Sequence, residues 1–490
     1  MAALIRILAV LVGIAIGFGA ETHAAAARPN VLFIQTDDQG PWALGLSGHP
    51  DARTPNLDRL FRSGAWLKKS FTVTPVCSPS RASLMTSRYG SELGITDWID
   101  EKKEPDEGLD PATPTWSKSL HAAGYRLGLM GKWHLGVRDQ FHPSVFGYDV
   151  FTGFRNGGSA TKDVSLEFAI ATDPSTWKTR PTQGFIVDVV TDAALRFLDE
   201  SANQATSGVQ PFCLSVHYRE PHTPWVPAAE EDSKPFANLE PKPPVPSYPD
   251  LDLEKWKTST RRYLASVASV DRNVGRLLDR LESLKLAGNT IVIFTSDHGY
   301  NVGHHGVLHK GNGVWLTNTF PPKTENVPAD RRPNMLDTSL LLPTCIRWPG
   351  VVPPGTVIDR TVTQLDWFPT LLEATGTPAV QGLRGRSIVP LLKAQKVDWN
   401  DDLYAEYSPH NQLRADMRCL RSGGWKLMCN FLEPFRDELY HIAEDPLEEH
   451  NLMASDAAEA QAARKELRAR ILARMRELKD PVAAGLSESR

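Results

Sequence analysis

Two short apolar runs end in acid: VLFIQT leads into Asp37-Asp38, and TIVIFTS leads into Asp297-His298-Gly299. Apolar, β-branched runs of this length bounded by polar residues predict buried strands, and ligands of open α/β sheets sit beyond the carboxyl ends of strands. Adjacent carboxylates repel unless a cation lies between them, although a single Asp after a strand more simply caps a turn. Three Asp and one His, converging from two buried strands, favour a hard divalent ion held by Asp37, Asp38, Asp297 and His298. Further strand ends carry Lys132 and His134 (YRLGLM into GKWH) and His217 and His222 (PFCLSVHYREPHTPW). GHHGVLHKGNG adds His304, His305, His309 and Lys310. A lone histidine at such a place is more often structural, and the sequence alone does not separate one that acts from those that hold the loop.

VCSPSRASLMTSR, residues 76–88, places a cysteine just ahead of a helix start. Ser78 reads as the N-cap and Pro79 as the first helical residue, with Leu84 and Met85 inward. Cys77 then lies at the positive end of a helix, where free N–H groups favour an anion. Arg81 on the first turn can fork onto an oxyanion. Helix N-termini also depress thiol pKa values, so a bare thiolate nucleophile is one reading.

These groups belong to a chain of 490 residues, 41% hydrophobic and 23% charged, with net charge −4. That is length for a large and a small domain, with no basic excess to attract nucleic acid. An anionic substrate must be met by local cations. Residues 1–27 read as a signal peptide: Arg6, an apolar run from Ile7 to Ala20, and small residues around Ala24–Ala27 for cleavage. No later stretch is long and apolar enough for a stable membrane span. Export, to a periplasm or beyond the cell, makes the five cysteines informative. Cys213 and Cys345 sit in apolar strands as small core residues. Cys419 and Cys429 flank Gly423-Gly424, and their pairing stays open. Cys77 is the odd one, and an exposed reactive thiol is a liability in an oxidising compartment.

From residue 30 to about 390, apolar runs alternate with helical periodicity, the pattern of an α/β domain. Expected helices are TPTWSKSLHAAG, capped by Thr113 with Pro114 first inside; GFIVDVVTDAALRFLDES; and RRYLASVASVDRNVGRLLDRLESLKLAGN, closed by Gly288 and Asn289. Tyr300 to Pro333 reads as a long loop, of the kind that is functional or disordered. Past Leu392, short strands with turn signals and an Ala- and Arg-rich helix at 457–478 suggest a small antiparallel sheet plus helix. The expected division is a catalytic α/β domain at 28–395 and a small α+β domain at 396–490.

Cys77-Ser78-Pro79-Ser80-Arg81 resembles the C-x-P-x-R signature of the type I, formylglycine-dependent sulfatases of the alkaline phosphatase-like superfamily, extended by Leu84, Thr86 and Arg88. DDQG, GKWH, PHTP, SDHG, Lys310 and ELYHIAEDPLEEHNL carry the resemblance over nearly the whole mature chain. Ser87 departs from it, standing where the family usually has Gly. The resemblance implies a large mixed sheet sandwiched by helices with a small C-terminal sheet, and hydrolysis of sulfate esters. It also implies that a maturation enzyme oxidises Cys77 to Cα-formylglycine, hydrated at rest. A serine-type nucleophile would form a sulfate ester with no easy exit. A gem-diol attacks with one hydroxyl and expels sulfate when the other is deprotonated, which also uses up the odd thiol. By the same resemblance, Asp37, Asp38, residue 77, Asp297 and His298 hold one Ca²⁺, although Ca²⁺ prefers oxygen and many relatives have Asn at the place of His298. Arg81, Lys132 and Lys310 neutralise the sulfuryl group, and His134 is the base for the collapsing hydrate. His222 is the acid for the leaving alcohol, shared with Lys310, and His217 ranks below it. The alternatives are a phosphodiester or phosphonate monoester hydrolase of the same superfamily, and a non-catalytic binder of sulfated glycans. Decay of Arg81, Lys132 or the acidic pairs would mark the latter, and all are present. Export and family precedent point to a sulfated carbohydrate as substrate. Trp98, Arg155 and Trp315 are candidates to contact a sugar, each equally explained by packing.

Overall fold

The computed structural model describes residues 28–158, 160–204, 210–244 and 248–485; the expected signal peptide lies outside the described residues. Strand β1, Asn30–Thr36, is buried along its whole length. Side chains alternate across a strand, so Val31 and Phe33 enter one apolar cluster while Leu32 and Ile34 enter another. A strand covered on both faces must be apolar throughout, which is why VLFIQT shows no alternation of polarity. The companions of β1 are β2 Ala65–Leu67, β3 Arg126–Lys132, β4 Val150–Phe154, β5 Ser165–Ile170, β6 Asp173–Pro181, β7 Phe212–His217, β8 Thr290–Ser296, β9 Thr344–Arg347 and β10 Thr356–Ile358. They form one ten-stranded sheet in the order β10-β2-β9-β8-β1-β7-β3-β4-β5-β6. Its centre, β8-β1-β7-β3-β4, is parallel. Strand β9 runs antiparallel on β8, and β5 and β6 run antiparallel at the other edge. One face packs against Ala82, Leu84, Trp116, Phe368 and Leu371. The other packs against helices Pro55–Arg62, Ile186–Gln204 and Leu253–Ser283. The expected mixed sheet between helical layers is the architecture found.

Four further strands, Leu403–Tyr407, Met417–Ser422, Trp425–Asn430 and Glu438–Tyr440, make the antiparallel C-terminal sheet. Helix Ala458–Leu478 covers one face through Leu467 and Ile471, beside Leu427 and Cys429. The opposite face, with Ala405, Met417 and Cys419, packs on Phe71, Val76 and Leu340. The second sheet thus braces the residue that precedes Cys77. Gly423 and Gly424, at φ 57° and 84°, close the hairpin between Ser422 and Trp425, the two-residue turn that needs positive φ at both places. In that register Cys419 faces Met428 and Arg418 faces Cys429. The two cysteines point to opposite faces of the sheet, so they do not pair, and all five cysteines are free.

Three boundaries differ from expectation. The helix placed at Thr113 begins at Trp116, capped by the Thr115 hydroxyl on the Lys118 N–H at 3.3 Å. The long helix starts earlier, capped by Asp252, and ends at Ser283. Lys285, at φ 58°, turns the chain there, so Gly288 and Asn289 lie beyond the end. The Tyr300–Pro333 segment folds as a four-stranded antiparallel sheet of Asn301–Val302, Val307–His309, Asn312–Trp315 and Arg331–Pro333. Strands of two to four residues are too short to show a period, so the sequence reads as loop.

Candidate active site

The parallel register brings the strand ends together. Thr36 pairs with Ser296, Gln35 with His217, and Gly131 with His217. Asp37, Asp297, His217 and Lys132 therefore leave one edge of the sheet side by side. Gly131 is required before Lys132: its φ is +111°, and a Cβ there would stand 2.0 Å from the His217 carbonyl oxygen. Asp38 adopts φ 70°, a left-handed backbone that costs roughly 1–2 kcal/mol outside glycine. Tyr263 holds it, the hydroxyl donating to the Asp38 carbonyl at 2.8 Å while accepting from the Gly40 N–H at 2.9 Å.

Cys77 is the first residue of helix Cys77–Thr86, with Val76 as N-cap. The helix thus begins two residues ahead of the expected Ser78-Pro79 start, and the Ser78 hydroxyl instead accepts from the Ile99 N–H at 3.0 Å. The Cys77 Sγ lies 3.4 Å from Asp37 Oδ1, 3.5 Å from His298 Nε2, and accepts from Lys310 Nζ at 2.9 Å. Burial and Asp37 push the thiol up, but Lys132 and Lys310 outweigh them and leave it lowered. Arg81 reaches across the helix start to Asp297 Oδ2 at 3.1 Å, Asp37 Oδ2 at 3.4 Å and the Lys132 carbonyl at 3.2 Å. Lys132 pairs with Asp37, and Lys310 with Asp38 at 2.7 Å. Burial alone would raise the Asp37 carboxyl, yet Lys132, Lys310 and Arg81 hold it well below the usual range.

The donor set fits a divalent cation. Burial pushes the Asp38 carboxyl up to about 7, with Lys310 and His298 opposing, and its Oδ2 has no hydrogen-bond partner. His298 gives its Nδ1–H to the Gly299 carbonyl at 2.9 Å. Its Nε2 is left 3.3 Å from Asp297 Oδ1, 3.5 Å from Asp38 Oδ1 and 3.8 Å from Asp37 Oδ1. Three carboxylates around one ring nitrogen demand positive charge between them, from a proton or a bound cation. Asp37, Cys77, Asp297 and His298, all buried, offer ligand atoms within 4.8 Å of one another. Three carboxylates stand against Arg81, Lys132 and Lys310, so a dication would leave the cluster net positive and attractive to an anionic ester.

These groups open into a cavity of about 330 Å³ lined by Cys77, Lys132, His134, His222, His309 and Lys310. His134 gives its Nε2–H to the Ile99 carbonyl at 3.2 Å, leaving Nδ1 without a partner. Burial, then Lys132 and Arg81, hold its imidazole well below its ordinary range, with Asp37 pulling the other way. His222 gives Nδ1–H to the Thr223 carbonyl at 2.6 Å, and its Nε2 faces Asp38 Oδ2 at 3.8 Å. Burial and Lys310 hold His222 well below its ordinary range, so it keeps a lone pair, not a proton, at Nε2. Burial works against the Lys310 charge, but Asp38, Cys77 and Asp37 overcome it and keep the amine protonated.

Not every expected residue joins them. His217 lies under the cluster, its Nδ1–H on the Lys132 carbonyl at 3.2 Å. His304 packs on Trp42 with ring centroids 4.8 Å apart. Of the three candidate sugar contacts only Trp98 lines the cavity. Arg155 is tied to Asp139 at 2.9 Å and Glu167 at 3.0 Å, while Trp315 faces a separate cleft. Sequence reasoning missed Asn156, Arg331, Gln412 and Gln364. The first three line the cavity from distant segments. Gln364 donates to the Asp297 carbonyl at 2.7 Å and to Ser80 Oγ at 2.8 Å. No motif surrounds them, so only the fold reveals them.

A cysteine at a helix start, wrapped by cations and carboxylates beyond a parallel sheet, is an arrangement suited to a hydrolase of anionic esters. Comparison with known proteins narrows the class. Residues 29–377 match the sulfatase family, and residues 329–477 match the C-terminal region of N-sulphoglucosamine sulphohydrolase. The chain belongs to the sulfatase family, and it is an enzyme, a sulfuric ester hydrolase. The N-acetylglucosamine-6-O-sulfatase of Bacteroides thetaiotaomicron is 24% identical over 526 residues, covering 90% of this chain and 85% of its own. The steryl-sulfatase of Homo sapiens is 28% identical, covering 77% of this chain and 72% of its own. The solved structure of BT4656 in complex with its substrate D-glucosamine-2-N,6-O-disulfate aligns with TM-score 0.76 at 23% identity, over 94% of this chain and 100% of that one. No helix among the described residues is long and apolar enough to cross a membrane.

Proposed function

We propose that the enzyme removes sulfate from a sulfated carbohydrate after export, with Cα-formylglycine made from Cys77 by a maturation enzyme and with one divalent cation, Ca²⁺. The observation that carries this reading is the Cys77 Sγ, within 3.5 Å of Asp37, His298 and Lys310 at a helix start. That sulfur stands where the hydrate oxygens of the matured residue would be. Asp37, Asp38, Asp297, His298 and the hydrate would hold the cation, which when bound polarises the sulfate oxygens as a Lewis acid. In matured protein the hydrate would supply the nucleophilic hydroxyl and, through its second hydroxyl, an exit for sulfate that restores the carbonyl. Arg81, Lys132 and Lys310 neutralise the charge that builds on the sulfuryl oxygens. His134, neutral and with a free Nδ1, takes the proton of the second hydroxyl. Lys310 is favoured over His222 as proton source for the leaving alcohol, because Lys310 carries its proton in place while His222 presents a lone pair.

Support for a carbohydrate comes from the relatives that act on sulfated amino sugars and from a cavity wide enough for a ring or two; a sterol-acting relative is the competing precedent. Trp98 in the cavity wall offers an apolar face for a sugar ring. The decisive experiment is peptide mapping of secreted, active enzyme, with an aldehyde mass expected at residue 77. Sulfate release should vanish in Cys77→Ala and in chelator-treated enzyme, and return to the latter with Ca²⁺. An intact thiol in fully active material would end the proposal. A clear preference for an aryl phosphodiester over an aryl sulfate would favour the phosphodiesterase alternative.

A further inference from the structure

Arg331 is the one arginine among the described residues that line the catalytic cavity. Strand register places it there: Val314 pairs with Arg331 and Gly313 with Arg332, and paired residues share a face of the sheet. Val314 and Arg331 therefore look into the catalytic cavity, while Arg332 turns to the other side. Neighbouring arginines are committed elsewhere. Arg81 spans two carboxylates, Arg155 binds Asp139 and Glu167, and Arg332 binds Glu438 at 3.5 Å and the His305 carbonyl at 3.1 Å. Among the described residues, the side-chain partners of Arg331, with 22% of its side chain exposed, are Asp330 at 3.9 Å and the Asn312 carbonyl, by a long bond of 3.5 Å. Asp330 is itself half in solvent, where such a pair is worth little. Among the described residues the ion-pair partner of Arg331 is Asp330, not Glu101, the carboxylate of the same wall. A guanidinium has five donors in a fork that suits a carboxylate or sulfate, and most of those of Arg331 are unclaimed. The cations that serve the reacting sulfate, Lys132 and Lys310, are by contrast each paired to an aspartate.

We propose that the cavity contains a second anion subsite at Arg331, so that the preferred substrate carries, besides the ester sulfate to be cleaved, another anionic group, a sulfate or a carboxylate, which Arg331 binds. The proposal rests on the sulfated-carbohydrate reading but is tested apart from it. Three sugars are compared as competitive inhibitors of 4-nitrophenyl sulfate hydrolysis: N-acetylglucosamine 6-sulfate, glucosamine 2-N,6-O-disulfate, and N-acetylglucosamine 6-sulfate linked to a hexuronic acid. Inhibition ranks them whether or not they are cleaved, and cleavage is scored separately by sulfate release. The expected ratio of Ki, monoanionic over dianionic sugar, is roughly 10- to 100-fold in the unmodified protein, the worth of a hydrogen-bonded charge pair. Gain with the disulfate identifies sulfate as the second anion, and gain with the uronate identifies carboxylate. In Arg331→Ala the ratio should collapse to near one, and Arg331→Lys should keep an intermediate value, since lysine retains charge without the fork. A ratio near one in the unmodified protein, or one that persists in both Arg331→Ala and Arg331→Gln, overturns the subsite. Cleavage of the sugars with no ratio would leave the substrate reading standing and remove only this inference. A ratio without cleavage would do the reverse.

Discussion

Replacing Lys310 by alanine separates the two roles proposed for one side chain. Its Nζ stands 2.9 Å from the Cys77 Sγ and 2.7 Å from Asp38 Oδ1, so a sulfuryl group bound to residue 77 would lie within about 4 Å of the charge. At an effective dielectric of about 20, a unit charge at that distance is worth about 4 kcal/mol. Removal of one preorganised donor from an anionic transition state generally costs roughly 10²- to 10³-fold in rate, or about 3–4 kcal/mol. The two routes agree, and Arg81 and Lys132 remain to keep the loss from growing larger. The expected fall in kcat/KM for Lys310→Ala on 4-nitrophenyl sulfate is therefore roughly 10²- to 10³-fold. Nitrophenolate leaves without help, so that loss reports electrostatics alone. A sugar alcohol leaves poorly, and loss of its proton donor adds a further factor of roughly 10² on a sulfated sugar. Both substrates are assayed on protein whose aldehyde at residue 77 and bound cation have been quantified. A fall of less than about tenfold on the aryl ester, with both intact, refutes the electrostatic argument. Equal losses on the two esters refute the proton-donor argument and return that role to His222.

His222→Ala should cost the sugar ester clearly less than Lys310→Ala does, roughly tenfold, because the imidazole offers no proton at Nε2; parallel kcat measurements check this, and a larger loss than Lys310→Ala contradicts it. His134 is held well below its ordinary range by burial, Lys132 and Arg81. A base with a lowered pKa stays unprotonated as pH falls, so the acid limb of kcat should lie below pH 6.5, and a pH–rate profile with a limb at or above that value counts against His134. Ser87 ends helix Cys77–Thr86 at φ 55°, its hydroxyl accepting from the Gly385 N–H at 2.8 Å. Ser87→Gly relieves about 1–2 kcal/mol of backbone strain but forfeits a hydrogen bond of about 1 kcal/mol. It should remain within about 1 kcal/mol of the unmodified protein by urea unfolding, while Ser87→Ala loses the bond without relief and falls about 1 kcal/mol below it; Gly proving worse than Ala would reverse the account.

That left-handed cap also shows how sequence and structure divide the information. The glycine usual at position 87 reads in sequence as a family habit; the backbone angle supplies its reason. The strands VLFIQT and TIVIFTS were legible because burial on both faces forces an unbroken apolar run, and the acids behind them were legible because a strand end is a fixed place. Helix boundaries were not, since Thr113 and Thr115 both make acceptable caps and only the packing of Trp116 decides between them. The Tyr300–Pro333 sheet was invisible because its strands are shorter than the period that would betray them.

From the sequence alone come the candidate site residues, Asp37, Asp38, Cys77, Arg81, Lys132, Asp297, His298 and Lys310, and the alternation that builds a parallel sheet, because both are local properties of residue type and spacing. Only the tertiary structure decides which cation faces which carboxylate, that Cys419 and Cys429 turn away from each other, that Trp315 leaves the cavity while Trp98 stays, and that Arg331 enters it unpaired. These depend on register, where one residue of shift exchanges the faces of a sheet, and on burial, which sets where protons reside. Neither is written in any single stretch of the chain.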